Sequence, residues 1–185
     1  MRVIAGSKKG RELEAPKGLH TRPTLAKVKE AMFGMIQFDL PGARVLDLFS
    51  GSGGLGIEAV SRGASHAVLC DSNRNAIAVI RSNIKRLGLE DVTTAVYGDS
   101  LSFLGGYSGE RFDVVLLDPP YESDLLSRAL ALLDEKGLLN DGAILICEHS
   151  KDNPPVFTAG YRHKEPRRYG DCYLTYAVYS AKEDE

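Results

Sequence analysis

Short hydrophobic runs alternate with stretches of helical spacing along most of the chain. The apolar runs predict strands near residues 44–48, 66–70, 92–97, 112–117 and 143–148. Apolar positions three and four residues apart predict helices near residues 54–62, 73–87 and 123–136. Because strands and helices alternate, we expect a mainly parallel sheet with helices on both faces.

The two ends of the chain depart from this alternation. Residues 2–14 predict a small β-hairpin, and residues 24–36 predict a helix. Near the other end, residues 160–168 and 172–180 predict two antiparallel strands. The sheet should therefore end in an antiparallel edge.

A glycine-rich turn follows the first predicted strand. Gly51, Gly53 and Gly56 match the dinucleotide-binding pattern G-x-G-x-x-G, and Asp71 lies 20 residues after Gly51, where a ribose-binding acid is expected. A strand, a glycine turn and a helix N-terminus form a cradle for a cofactor. Asp47 would repel a pyrophosphate, but it suits a cofactor with an ammonium and a sulfonium, such as S-adenosylmethionine. A nicotinamide dinucleotide remains the alternative that the glycines alone favour.

The tetrad Asp118-Pro119-Pro120-Tyr121 follows the apolar run at residues 114–117. A carboxylate and a carbonyl oxygen that each accept one N–H would make an exocyclic amine of a nucleobase more nucleophilic. Proline lacks an N–H and has a fixed φ, so Pro119 can present its carbonyl on a rigid turn. Tyr121 offers a ring on which a base can stack. The alternative is a turn in which Asp118 caps the next element and Tyr121 packs inward.

These motifs resemble those of class I S-adenosylmethionine-dependent methyltransferases that act on exocyclic amines. The N-terminal region narrows the resemblance to the RsmD family, the guanine-N2 methyltransferases of 16S ribosomal RNA. The residues that carry this narrower resemblance are Arg2-Val3-Ile4-Ala5-Gly6, Gly10-Arg11, Leu13, Thr21-Arg22-Pro23-Thr24 and Lys27-Val28-Lys29-Glu30-Ala31-Met32-Phe33. It implies a Rossmann-like seven-stranded sheet at 42–182 with a C-terminal antiparallel hairpin, an extension at 1–41 and an acidic tail at 183–185.

The resemblance also implies roles for individual residues. Asp118, Pro119 and Tyr121 would be catalytic. The residues expected to contact the cofactor are Asp47, Phe49, Gly51, Ser52 and Gly53 near its methionine part, Asp71 at the ribose, Asp99 and Ser100 at the adenine, and Asp118. Aspartates at strand ends can instead cap helices, and Phe49 can instead belong to the core.

Basic residues are concentrated in two regions, although the formal net charge is -2. Residues 1–30 hold eight lysines and arginines against three glutamates, and a second basic group precedes the last predicted strand. Such patches indicate a phosphate-binding surface. The residues expected to contact RNA are Arg2, Lys8, Lys9, Arg11, Arg22, Thr24, Tyr121, Arg167 and Arg168. Ordinary solvated side chains are the alternative, and Arg22 could be an ion-pair partner within the fold.

Length and composition are typical of one cytoplasmic domain. The chain has 185 residues, with no apolar run at its start and none long enough to span a membrane. Cys70, Cys147 and Cys172 lie in or beside apolar strands, which favours packed free thiols. No His and Cys cluster has the spacing of a metal site, so we expect no metal. We favour a monomer.

The sequence therefore predicts transfer of a methyl group from S-adenosylmethionine to the N2 amine of a guanine in 16S rRNA, which leaves S-adenosylhomocysteine. The substrate would be the small ribosomal subunit or an assembly intermediate. Three alternatives remain. They are another RNA or DNA amine methyltransferase, such as an adenine-N6 enzyme, an NAD(P)-dependent oxidoreductase, and a ribosome-assembly binding protein without catalysis.

Overall fold

A computed structural model describes residues 1–16 and 23–181, and the side chains of Pro23, Thr24 and Leu25 are not among the described parts. The predicted RNA contact Arg22 and the predicted acidic tail at 183–185 lie outside the described residues. Along the described chain the helices and strands are α1 Pro23–Ile36, β1 Arg44–Asp47, α2 Gly54–Ser61, β2 His66–Asp71, α3 Arg74–Leu87, β3 Thr93–Tyr97, α4 Ser100–Gly106, β4 Phe112–Leu117, α5 Leu125–Glu135, β5 Leu139–His149, β6 Tyr161–His163, β7 Arg167–Tyr169 and β8 Cys172–Tyr179.

The strands form one twisted sheet in the order β3-β2-β1-β4-β5-β8-β6. Strands β1 to β5 are parallel, and β8 runs antiparallel to β5. One core packs α1, α2, α3 and the N-terminal residues against one face of the sheet, and a second packs α4 and α5 against the other. The predicted α/β fold with helices on both faces is confirmed.

The prediction of a single strand at 160–168 is wrong, because this region forms two short strands, β6 and β7. Both pair with β8, so the sheet has seven positions but eight strands. Pro166 lies between them, and proline cannot donate a hydrogen bond to a neighbouring strand. As a result β7 pairs with the part of β8 that lies against the carboxyl end of β5, whereas β6 pairs with residues 177–179 of β8.

The short helix α4 was not predicted. Its seven residues, Ser100–Gly106, are too few to show helical periodicity in the sequence. The carboxylate of Asp99 accepts a hydrogen bond from the main-chain N–H of Ser102 at 2.8 Å, which satisfies one of the free donors at the start of the helix. Asp99 is therefore the N-cap of α4.

The N-terminal residues form the predicted hairpin, with an antiparallel bridge between Arg2 and Glu12. The hairpin is fixed to α2 by the buried carboxylate of Glu58, which accepts the main-chain N–H groups of Ile4 at 2.8 Å and Ala5 at 3.0 Å. The same carboxylate pairs with Lys29 of α1 at 2.9 Å. One buried acid thus joins the hairpin, α1 and α2.

The buried side-chain amide of Asn83 links the end of the hairpin to the glycine turn. Asn83 on α3 accepts the main-chain N–H of Glu14 at 2.8 Å and donates to the carbonyls of Glu14 and Ser52, each at 3.0 Å. The Asn83 side chain is fully buried, so these bonds satisfy polar groups that water cannot reach. The end of the described hairpin is therefore tied directly to the predicted cofactor turn.

Candidate active site

Acidic residues lie at the carboxyl ends of neighbouring strands. Asp47 ends β1, Asp71 ends β2, Asp118 follows β4 and Glu148 lies near the end of β5. The strand order reverses between β1 and β4, and ligands of open α/β sheets bind beyond the carboxyl ends at such a point. The predicted site residues and one unpredicted acid, Glu148, therefore meet at one edge.

The glycine turn is held by the two acids that flank it. Asp47 Oδ2 accepts the main-chain N–H of Gly56 at 2.8 Å, and Asp71 Oδ2 accepts that of Gly51 at 2.8 Å. Gly56 is required by space, because a Cβ at this position would lie 2.7 Å from the Leu69 side chain. Gly53 has φ +81°, a conformation that favours glycine.

Asp47 has a free acceptor inside the protein. Its side chain is fully buried, and Oδ1 has no hydrogen-bond partner among the described residues. Burial raises the pKa of Asp47 to about 7, although the N–H of Gly56 opposes this shift. A buried carboxylate with an unsatisfied oxygen suits a cationic group and disfavours a pyrophosphate. The residues therefore fit S-adenosylmethionine better than a dinucleotide.

The other predicted cofactor residues occupy the same edge with local roles of their own. Asp71 Oδ1 also accepts the N–H of Asn73 at 2.8 Å, and Asp99 caps α4. The hydrogen bond from the Ser102 N–H lowers the pKa of Asp99. Ser100 is buried behind this cap, and half-buried Phe49 packs against the second core. The alternative roles stated for these residues are thus real contacts in the structure: Asp99 caps a helix, and Phe49 packs against the core.

The tetrad lies directly beyond β4. Pro119 is buried, Pro120 is exposed, and Tyr121 is 38% exposed. Asp118 makes no hydrogen bond to any described residue through its side chain. Burial raises the pKa of Asp118 well above its usual value, and the nearby charges of Glu148 and Asp47 raise it further.

Tyr121 is held at both its side chain and its main chain. Its hydroxyl donates to Glu148 Oε1 at 2.5 Å, and its carbonyl accepts from Asn153 Nδ2 at 2.7 Å. Glu148 and Asn153 belong to no motif, so sequence reasoning missed both. A signal for Glu148 exists, because it is a lone acid at the end of the apolar run Ala143–Cys147.

The predicted RNA contacts fall into two exposed groups. Arg2, Lys9 and Arg11 are exposed on the N-terminal hairpin and Lys8 is partly exposed, whereas Arg167 and Arg168 are exposed on β7. Strand β7 lies beside β8 at the carboxyl end of β5, which is the edge that carries Asp118. Thr24 lies in α1, and its side chain is not described.

Two parts of the predicted basic surface are corrected. Lys29, which contributes to the basic excess of residues 1–30, is buried and paired with Glu58, so it is not part of a surface. The second basic group of the sequence consists of Arg162, His163, Lys164, Arg167 and Arg168. Its members Arg162 and His163 lie on β6, away from β7 and the catalytic edge.

The structure also describes the state of the cysteines, the grouping of potential metal ligands and the character of the helices. Cys70, Cys147 and Cys172 are buried free thiols, as predicted. No group of three or more His, Cys, Asp or Glu side chains within 1–16 and 23–181 is arranged to hold a metal ion. In the same ranges, every helix is too short or too polar to cross a membrane.

The sheet order, the glycine turn and the acids at the switch point define a class I S-adenosylmethionine-dependent methyltransferase. The sequence profile of the family described as Conserved hypothetical protein 95 matches residues 1–178. The chain belongs to this family, which is the RsmD family.

Individual relatives agree with this assignment over most of their length. Ribosomal RNA small subunit methyltransferase D of Escherichia coli strain K12 is 36% identical over 169 residues, which are 89% of this chain and 83% of the relative. YlbH of Bacillus subtilis strain 168 is 44% identical over 154 residues, 82% of this chain and 84% of YlbH. The solved structure of yhhF from Escherichia coli has a TM-score of 0.88 at 30% identity and covers 98% of this chain and 99% of its own.

Proposed function

We propose that this protein transfers the methyl group of S-adenosylmethionine to the exocyclic N2 amine of a guanine in 16S rRNA of the small ribosomal subunit. The observation that carries the proposal is the Asp118 carboxylate. It stands without a hydrogen-bond partner among the described residues, beside Pro119 and Tyr121, at the edge where Asp47 offers a free acceptor to a cation.

The cofactor, when bound, supplies an electrophilic methyl group on a sulfonium. The chain's own residues hold it. Asp47 and the turn from Gly51 to Gly53 hold the methionine part with Phe49 as a wall, Asp71 accepts from the ribose hydroxyls, and Asp99 and Ser100 contact the adenine. Asp71 and Asp99 can keep their structural bonds in these roles, because each carboxylate oxygen accepts more than one hydrogen bond.

The tetrad acts on the amine. Asp118 and the carbonyl of Pro119 each accept one N–H, which localises the nitrogen lone pair and stabilises the positive charge that develops during transfer. The Tyr121 ring stacks on a base that has left its helix or loop. Positioning by these fixed groups supplies most of the rate.

Ribosomal RNA as the substrate is supported by the family and by the charge of the edge. Relatives are named as small subunit ribosomal RNA methyltransferases. We infer that the extension at 1–41 supplies the RNA entrance with Arg2, Lys8, Lys9, Arg11, Arg22 and Thr24, and that Arg167 and Arg168 bind phosphates on its other side. A cytoplasmic monomer that acts on the assembled subunit or an assembly intermediate is the form we propose.

A methyl-transfer assay tests this function. Tritiated S-adenosylmethionine is incubated with free 16S rRNA, with small subunits that lack the modification, and with DNA, and Asp118→Ala serves as the inactive control. Label in 16S rRNA supports the proposal. RNA binding without transfer favours an assembly factor, label in DNA favours another amine methyltransferase, and ultraviolet difference titration with NADH and S-adenosylmethionine tests the oxidoreductase alternative.

A further inference from the structure

Glu148 occupies the position beside Asp118 in the sheet. Strands β4 and β5 are parallel, with Leu117 opposite Cys147, so the next residue on each strand is an acid. Leu116 and Ile146, two residues before these acids, both belong to the first core, and side chains alternate between faces along a strand. Asp118 and Glu148 therefore project from the same face of the sheet, the one that packs against α1, α2, α3 and the N-terminal residues.

Glu148 also makes the bond that fixes the Tyr121 ring. The Tyr121 main chain is held separately by Asn153, which donates to the carbonyls of Tyr121 at 2.7 Å and Ser123 at 2.6 Å. The side chain can still turn about two torsions, and its hydroxyl bond to Glu148 Oε1 selects one direction. The carboxylate that selects it is only 4% exposed, so water competes weakly for this bond.

We propose that Glu148 is a positioning residue, which holds the Tyr121 ring as the platform for the target base and tunes the charge on Asp118. The inference rests on the proposed function, since it assigns a supporting residue to the same amine site. Tyr121 touches the base and Asp118 touches the amine. Glu148 acts through both.

The charge on Asp118 depends on every acid packed against it. Asp47 approaches from β1 and Glu148 from β5, while Tyr121 in the following loop, Cys172 on β8 and His149 on β5 surround Glu148. Burial raises the pKa of Glu148, although the hydrogen bond from Tyr121 opposes the shift. Asp118 is partly buried and Glu148 is buried, so the two neighbouring carboxylates resist ionising together, and we expect them to titrate as a pair.

Three substitutions separate the effect of Glu148 on the position of the Tyr121 ring from its effect on the charge of Asp118. Glu148→Gln keeps an oxygen that accepts the Tyr121 hydroxyl but removes the charge. Glu148→Met removes both at similar volume, and Tyr121→Phe removes only the donor. Glu135→Gln, an exposed position on α5 at the far end of the sheet, is the matched control.

We expect Glu148→Met and Tyr121→Phe each to raise KM for small subunits by about fivefold or more, because an aromatic ring that is no longer held in one direction loses part of a stacking contact that contributes about 1–3 kcal/mol. Cofactor affinity should stay unchanged in both. The Glu148→Met/Tyr121→Phe double variant should be no worse than the poorer single variant, because both remove the same bond. In Glu148→Gln, KM should stay near wild type while the acidic limb of kcat/KM moves to lower pH.

Thermal melts of each variant identify those that fail to fold, and Glu148→Gln and Tyr121→Phe provide independent readouts if Glu148→Met is among them. An active wild type combined with additive losses in the double variant, or with an unmoved acidic limb in Glu148→Gln, would overturn the inference. A wild type that transfers no methyl group to RNA would instead reject the proposed function.

Discussion

The carboxylate of Asp71 accepts a hydrogen bond from the main-chain N–H of Gly51 at 2.8 Å. The 20-residue spacing that resembles a dinucleotide fingerprint thus joins the end of β2 to the glycine turn after β1. The same acid holds the turn, and we propose that it also accepts from the ribose hydroxyls of the cofactor.

We expect Asp71→Ala to weaken S-adenosylmethionine binding by about tenfold or more, because a hydrogen bond to a charged group contributes about 1.5–3 kcal/mol. Isothermal titration calorimetry measures this affinity, with Asp91→Ala, an exposed acid between α3 and β3, as the control. Unchanged affinity in Asp71→Ala would limit this residue to capping and turn geometry.

Asp118→Ala should lower turnover by about 10²-fold or more, which is the usual loss when one fixed transition-state partner is removed. Cofactor affinity should change little, since the main contact proposed for Asp118 is the amine, while Asp47, the glycine turn and Asp71 hold most of the cofactor. Single-turnover methyl transfer and calorimetry measure the two quantities separately. Asp124→Ala, which removes an exposed acid at the start of α5, should behave as wild type. Near-normal turnover in Asp118→Ala would exclude the amine role.

Cofactor binding should release a proton from Asp47. Burial raises the pKa of Asp47 to about 7, and a bound cation favours its ionised form, so affinity should increase as the pH rises towards 7. Calorimetry in buffers of different ionisation enthalpy measures the proton released. Asp47→Asn should abolish both the release and the pH dependence, and a release that survives in this variant would assign the proton to another group.

The raised pKa of Asp47 also determines how the stability of the cofactor-free protein changes with pH. The unfolded chain loses this proton near the ordinary carboxyl pKa of 3.8, whereas burial raises the pKa of Asp47 in the folded chain to about 7. Between these values the folded state binds more protons, so the contribution of Asp47 to stability falls as the pH rises. Urea unfolding of the wild type and Asp47→Asn at pH 5 and 7 compares the two slopes.

Glu58→Leu should destabilise the fold by about 3–5 kcal/mol, because it leaves the buried ammonium of Lys29 without its partner. It also removes the acceptor for the N–H groups of Ile4 and Ala5. Urea unfolding measures the change. Lys29→Met/Glu58→Leu should recover part of the loss, and a double variant less stable than Glu58→Leu would contradict the assignment of the cost to an unpaired charge.

Lys8, Lys9 and Arg11 should contribute to the salt dependence of RNA binding. Replacing all three by alanine should reduce the slope of log K against log salt by about 2, because each lost phosphate contact reduces it by about 0.7–0.9. Filter binding to 16S rRNA at several salt concentrations measures the slope. Arg111→Ala/Lys136→Ala, exposed near the amino end of the sheet, is the control, and equal slopes would return the hairpin residues to ordinary solvated side chains.

The parallel sheet could be predicted because its strands and long helices have clear apolar periods. The strand β4 was predicted at its observed bounds, 112–117, since Phe112 and the apolar run at 114–117 lead directly to the tetrad. The helix α4 has only Leu101, Phe103 and Leu104 as large apolar residues, which is too short a pattern to separate from a loop. The break between β6 and β7 was missed, although Pro166 marks it.

The candidate site could be predicted only where a motif is local in sequence. Asp47 with the glycine turn is one short stretch of neighbouring residues, the tetrad is another, and the residue types in each have a chemical meaning. Glu148 acquires its place from the register of β4 against β5, and Lys29 from a partner on α2. Pairing between distant residues leaves no periodic signal, so a buried lysine looks the same in sequence as an exposed one.

The nucleoside that carries the transferred methyl group tests the central claim most directly. Small subunits that lack the modification are methylated with labelled S-adenosylmethionine, and their 16S rRNA is digested to nucleosides and analysed by mass spectrometry. The account predicts label in N2-methylguanosine, with none in the Asp118→Ala reaction. Label in N6-methyladenosine, or on a ring carbon or ribose oxygen, would contradict it.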